Sequence, residues 1–290
     1  MKDPKLVRSK TFFCYPRFYG TVQNTRQQMK PIIMPIKFAR RLSGSKRSTE
    51  SNRHLGFTLA FVAGSTNAGA FLAVRQYTSH MTGMVSSMAD NVVLGNIDLA
   101  FSAFGGIIAF LSGAATTAVM VNLARRRHMH SEFAFPLLLE AILMLCFGLL
   151  GTQLSKIEGM FVPVTVMLLC FMMGLQNAVI TKLSNAVIRT THLTGIITDL
   201  GIELGKLFYW NRYISEKEPE VLADRDRILV LTILTLSFFG GGVIGALGFK
   251  FIGYALTIPL ALLLVLLAAV PAIDDLRVYL QRFQEKKPHL

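Results

Sequence analysis

A chain of 290 residues that is 52% hydrophobic, 16% charged and has a mean hydropathy of +0.48 is too apolar for an ordinary soluble domain, where about 25% of residues are charged. It belongs in a bilayer. The net charge of +13 would suit a nucleic-acid partner, but residues 1–54 carry 13 of the 30 Lys and Arg against only Asp3 and Glu50, a net +11 that leaves +2 for everything after. That basic stretch contains no recognisable nucleic-acid-binding module, so no nucleic-acid partner is expected.

The leader, residues 1–54, mixes its basic residues with Ser, Thr, Gln, Pro16, Pro31 and Pro35. It reads as a disordered cytoplasmic arm held against anionic lipid headgroups, at about 1 kcal/mol per basic residue near the surface. Met29 or Met34 as the true start is the alternative account of it. A secretory signal is excluded because Arg and Pro interrupt its apolar runs and no small-residue cleavage site follows one. Three cysteines, Cys14, Cys146 and Cys170, imply no disulfide framework.

Six stretches are then apolar over about 18 residues or more, enough to cross a hydrocarbon core: Leu55 to Val74, Asp98 to Ala124, Phe133 to Gln153, Gly159 to Ile180, Ile228 to Phe249 and Phe251 to Val270. Two shorter segments, Ser79 to Leu94 and Thr191 to Leu207, carry Asp90 and Asn91 or Asp199 and Glu203. If neither crosses, Arg125-Arg126-Arg127, the charged insertion at residues 208–227 and the basic tail at 280–290 all lie inside with the leader, as the positive-inside rule requires. Six crossings follow, with both termini cytoplasmic and the two short segments re-entrant or partly buried.

The chain repeats itself. Gly64-Ser65-Thr66-Asn67-Ala68 followed by Ser79-His80-Met81-Thr82-Gly83 recurs as Gly174-Leu175-Gln176-Asn177-Ala178 followed by Thr191-His192-Leu193-Thr194-Gly195. Three spans per copy place the second copy upside down relative to the first. The expected fold is therefore all-α, about six transmembrane helices in two inverted three-helix repeats at 55–155 and 159–271, each with a short re-entrant or broken half-helix, within a membrane domain at 55–279. Phe104-Gly105-Gly106 with Gly113 matches Phe239-Gly240-Gly241 with Gly245 and Gly248 loosely between the halves.

Asn67 and Asn177 place amides inside spans, where they either bind something near the midplane or bridge to a neighbouring helix. Each His-x-Thr-Gly run, with His80, Thr82 and Gly83 or His192, Thr194 and Gly195, reads as a Thr-capped helix start whose free N–H groups and positive dipole end suit an anion; a plain capped turn is the alternative. Asp199 and Glu203 share a helix face and would take up a proton or cation, or form an ion pair with Lys206. Glu140, within Leu137-Leu138-Leu139-Glu140-Ala141, is a lone carboxylate deep in a span that must face protein or water or hold a proton. His128, His130 and Glu132 lie in a loop and are expected to be solvated, so no metal site is assigned. No HExxH, GxSxG, Walker or CxxC pattern points to an enzyme, and no cofactor is expected.

These elements in this order, from about Leu55 to about Tyr279, resemble the YoaK-like family of bacterial inner-membrane proteins. The family pattern commonly has Asn after the first Thr-Gly, where this chain has Met84 and, in the second copy, Ile196. The resemblance implies a multi-pass protein of the bacterial inner membrane with no assigned substrate. Two readings stand. One is an inverted-repeat transporter of a small polar or anionic solute, with Asn67, His80, Thr82, Gly83, Asn177, His192, Thr194 and Gly195 lining the site and Glu140, Asp199 and Glu203 available for coupling. The other is a non-transporting assembly or sensor protein, in which the polar repeats only hold helices together. A homo-oligomer fits either.

Overall fold

With no water to satisfy backbone amides inside a bilayer, an apolar chain of this kind must fold as helices that close their own hydrogen bonds. The computed structural model describes residues 49–127, 129, 132–154, 161–183, 193–209, 220–269 and 273, and among them all regular structure is helical. All of these residues belong to one unit, Pro35–Leu290. The helices are α1 (Thr49–Val74), α2 (Met81–Val93), α3 (Ile97–Arg126), α4 (Ala134–Leu154), α5 (Phe161–Leu183), α6 (Leu193–Phe208) and α7 (Arg225–Phe251). An eighth, α8 (Gly253–Ala269), opens with a 3-10 turn at Gly253–Leu256.

Five helices, α1, α3, α4, α5 and α7, are long and apolar enough to cross a membrane. These counts are of the described residues, in which the sixth expected span is α8, followed from Gly253 to Ala269, where the continuous description ends. Lys250 and Phe251 continue α7 instead of opening the next helix, and the chain then breaks at Gly253, whose φ of +68° L-residues rarely adopt. The two half-segments are helices of 13 and 16 residues, α2 and α6, about 20 and 24 Å long at 1.5 Å per residue, against a hydrocarbon core of about 30 Å. Helix α1 starts at Thr49, so it takes up the last residues assigned to the leader. Residues 1–48 of that leader, positions 210–219 of the insertion and the tail at 280–290 lie outside the described residues.

Local chemistry sets the helix ends. Asp224 caps α7 by accepting a hydrogen bond from the Arg227 N–H at 3.0 Å. Gly95, at φ +75°, ends α2, and Asn96 N–H reaches back to the Asn91 carbonyl at 2.8 Å. Two hydroxyls of α1 are satisfied within their own helix: Ser65 and Thr66 each donate to the carbonyl four residues back, at 3.0 and 2.9 Å.

The tightest packing is between α1 and α7 and between α3 and α5. In each pair backbone meets backbone at glycine. A Cβ on Gly64 would strike the Phe238 carbonyl, and one on Gly241 the Phe61 carbonyl. Likewise Gly174 abuts the Phe110 carbonyl and Gly113 the Phe171 carbonyl. The four helices thus share one motif, Phe-x-x-Gly, at Phe61–Gly64, Phe110–Gly113, Phe171–Gly174 and Phe238–Gly241. The loose match of Phe104-Gly105-Gly106 to Phe239-Gly240-Gly241 gives way to this register, in which Phe110 corresponds to Phe238 and Gly113 to Gly241. One turn on, Thr117 donates to the Leu175 carbonyl at 3.0 Å, while Gly245 meets Ser65. Contacts advance together along both members of each pair, from Phe61 with Gly241 to Gly69 with Phe249, and from Gly105 with Met167 to Thr117 with Leu175. Both pairs therefore run parallel, and each joins the first long helix of one half to the second long helix of the other.

Because these glycines face backbone, which cannot move aside, Gly64→Ala and Gly174→Ala should each destabilise the protein by about 1–3 kcal/mol. At Gly201 and Gly205 nothing lies within 4 Å of an added Cβ, so alanine there should be neutral or stabilising by up to about 1 kcal/mol. Thermal unfolding of the four variants in detergent separates these outcomes.

Candidate functional site

Where the two halves meet there is a cavity of about 650 Å³, within the range of small-ligand pockets. Both copies of the repeated motif reach it. Its walls include Asn67 of α1 and Asn177 of α5, Thr82 of α2 and Thr194 of α6, and Phe110 of α3 and Phe238 of α7. Each pair is one residue and its equivalent in the other half. Tyr77, Ser79 and His80 add the turn between α1 and α2.

Asn67 and Asn177 are 8% and 7% exposed, so both amides sit nearly enclosed on the cavity wall. The Asn67 side-chain oxygen accepts a hydrogen bond from the Ser79 hydroxyl at 3.1 Å. Tyr77 stacks on Phe71, ring centroids 4.7 Å apart, which folds the connecting turn back onto α1. Gly83 lines a smaller side cavity of about 190 Å³ with Tyr77, His80 and Ser87. A Cβ on Gly83 would come within 3.2 Å of His80 Nδ1, so the glycine makes room for the imidazole over the first turn of α2. Gly195 has nothing within 4 Å of an added Cβ and does not line the cavity. His192 lies outside the described residues, as do His128 and His130.

The expected threonine caps are not formed. Helix α2 begins at Met81 after the N-cap residue His80, with no side-chain cap, and Thr82 is already its second residue. Thr194 is likewise the second residue of α6. Both helices start earlier than a Thr cap allows, which puts the hydroxyls on the cavity wall rather than on the orphan N–H groups.

The acidic candidates part company. Asp199 and Glu203 are engaged away from the cavity. Arg227 pairs with Asp199 at 3.0 Å and with Glu203 at 3.7 Å, Lys206 pairs with Glu203 at 2.9 Å, and the Asp224 N–H donates to Glu203 at 3.0 Å. Together they tie α6 to the start of α7. The backbone hydrogen bond from Asp224, then the one from Lys206, hold the Glu203 carboxyl below the usual carboxylate range. Glu140 is the opposite case: 0% exposed, with no hydrogen-bond partner for either carboxyl oxygen among the described residues, and no part of the cavity wall.

Phe110, Phe238 and Tyr77 line the cavity outside the repeated motif, and Ser79, inside it, was not among the expected site residues. The signal for the two phenylalanines was present as Phe-x-x-Gly in four spans. It is hidden because Phe and Gly are common in apolar helices and the shared register appears only when the crossings are seen.

The five helices among the described residues that are long and apolar enough to cross a membrane define a multi-pass helical membrane protein. Residues 55–270 match the family model described as protein of unknown function (DUF1275), and the chain belongs to that family. It is similar to the UPF0700 transmembrane protein YoaK of Bacillus subtilis (strain 168), with 24% identity over 209 residues that cover 71% of this chain and 88% of that relative. No solved structure matches.

The lowered Glu203 pKa fixes the sign of one pH effect. Its contribution to stability is complete above the ordinary carboxylate range and is lost as pH falls below that range and through the lowered folded value. Glu203→Gln should therefore reduce stability at neutral pH and flatten the acid side of the stability profile. Melting temperatures of both proteins across the acid range measure this, and parallel profiles would remove the role given to the Asp224 and Lys206 contacts.

Proposed function

We propose that the protein is a small-solute transporter of the bacterial inner membrane, built as an inverted repeat with both termini cytoplasmic. The observation that carries this reading is a cavity to which the two halves contribute equivalent pairs of residues, the arrangement expected where substrate binds at a repeat interface. The parallel course of α1 and α7 supports the orientation, because it requires that α2 and α6 either both cross or both fail to cross. Their lengths favour the second, which keeps the arginine triplet at Arg125 to Arg127 inside. Asn67, Asn177, Thr82 and Thr194 bind the solute in this reading. Glu140 serves coupling, since an ionised carboxylate without partners in such a place is costly and a proton or cation relieves that cost.

A second reading, a non-transporting assembly or sensor protein, is favoured by how other polar residues of the repeat are spent. Ser65 donates to the Gly241 carbonyl at 2.9 Å and Gln176 to the Leu59 carbonyl at 3.2 Å, both bridging helices. The two readings separate on flux. In proteoliposomes loaded with candidate solutes, Asn67→Ala and Asn177→Ala should each lower uptake by about tenfold or more, and Glu140→Gln should abolish its dependence on a proton gradient. Unchanged uptake in all three variants would sink the transport site as assigned here. For orientation, single cysteines at Arg75 and Lys250 should label from outside and those at Met129 and Leu222 only from inside. Labelling of positions 75 and 129 from one side would remove the topology.

A further inference from the structure

We propose that the cavity takes a small organic monoanion, a carboxylate bearing an apolar group, with its charge at the start of α2 beside Asn67 and its apolar group between Phe110 and Phe238. This rests on reading the cavity as a binding site. Among the described residues no Asp, Glu, Lys or Arg lines it, so a cationic solute would shed its water without meeting a counter-charge. Two independent features offer donors without acceptors. Helix α2 has no side-chain cap, and the N–H groups of Met81, Thr82 and Gly83 precede its first helical hydrogen bond, donated by Met84 to the His80 carbonyl at 3.1 Å. They and the helix dipole present partial positive charge.

The second feature does not depend on the helix end. Asn67 is more than nine-tenths buried, and its oxygen is occupied by the Ser79 hydroxyl. Among the described residues its Nδ2 is then a donor with no acceptor, on a residue that lines the same cavity. Unmet donors call for a ligand rich in acceptors, and the dipole selects a charged one. Phe110 and Phe238 face the same space and leave the rest of the ligand no polar partner at that end.

The test uses the full chain in lipid nanodiscs and three probes of one shape and different charge: benzoate, benzamide and benzylammonium. Calorimetric titration should show benzoate binding at least about tenfold tighter than benzamide and no heat from benzylammonium. Asn67→Ala should weaken benzoate about tenfold. Asn67→Asp, which keeps the size and replaces the amide donor with a negative charge, should lose benzoate and gain benzylammonium; a melting curve near wild type shows that each variant is folded. Equal affinity for benzoate and benzamide, preference of the wild type for benzylammonium, or binding of none of the three overturns the proposal. Benzoate binding with no flux of any solute would remove transport and leave the anion site. Asn67-dependent flux of a neutral or cationic solute would keep transport and remove the anion.

Discussion

Backbone-to-backbone contact at four glycines is the constraint on which the rest of this structure depends. Lipid offers helices no hydrophobic reason to associate, because its tails are as apolar as leucine, so association relies on close packing and a few hydrogen bonds. Gly64, Gly113, Gly174 and Gly241 supply the close packing by letting one helix rest against a phenylalanine carbonyl of the other. At that distance, hydroxyls one turn away can reach across, as Ser65 does to Gly241 and Thr117 to Leu175. The carbonyl end of Phe110 and of Phe238 is thus held in a crossing while the residue itself lines the cavity. The site and the scaffold share residues.

This sharing explains why the cavity walls are paired. Each crossing joins one half of the chain to the other, and the motif residues follow the crossing glycine by a fixed step: Asn67 is three residues after Gly64, and Asn177 three after Gly174. Three residues is just under one helical turn, so each Asn lies close to the face that its glycine presents. Wherever the glycine docks, the amide is carried to nearly the same side. The short helices α2 and α6 then complete the walls with Thr82 and Thr194.

Much of this was legible in the chain. Long apolar runs located α3, α4, α5 and α7 to within a few residues, because length and hydropathy are what a bilayer selects. The twin Asn and Thr motifs identified five residues, Asn67, His80, Thr82, Asn177 and Thr194, that line one cavity. What was not legible depends on backbone geometry. The turn at Gly253, which moves the start of the last helix from Phe251 to Gly253, was not legible because nothing in its apolar surroundings announces a left-handed residue. Thr82 and Thr194 resemble caps in a string of letters, but the helices begin ahead of them. The Phe-x-x-Gly register is visible only once the parallel pairs are known.

The polar residues of the membrane domain can be sorted by whether packing uses them up. Ser65, Thr66, Thr117 and Gln176 each place a donor on a backbone carbonyl, and Asp199 and Glu203 are held by Arg227 and Lys206. A structural role accounts for these contacts, though the Gln176 Oε1 has no partner among the described residues. It does not account for Glu140, enclosed with neither oxygen matched, or for the Asn67 amide nitrogen, turned to a cavity whose only role in packing would be to weaken it. Removing polar groups of that kind would let a structural protein pack more tightly, since buried polar atoms without partners cost more than apolar ones of the same shape. In the transport reading, a bound solute or proton offsets that cost.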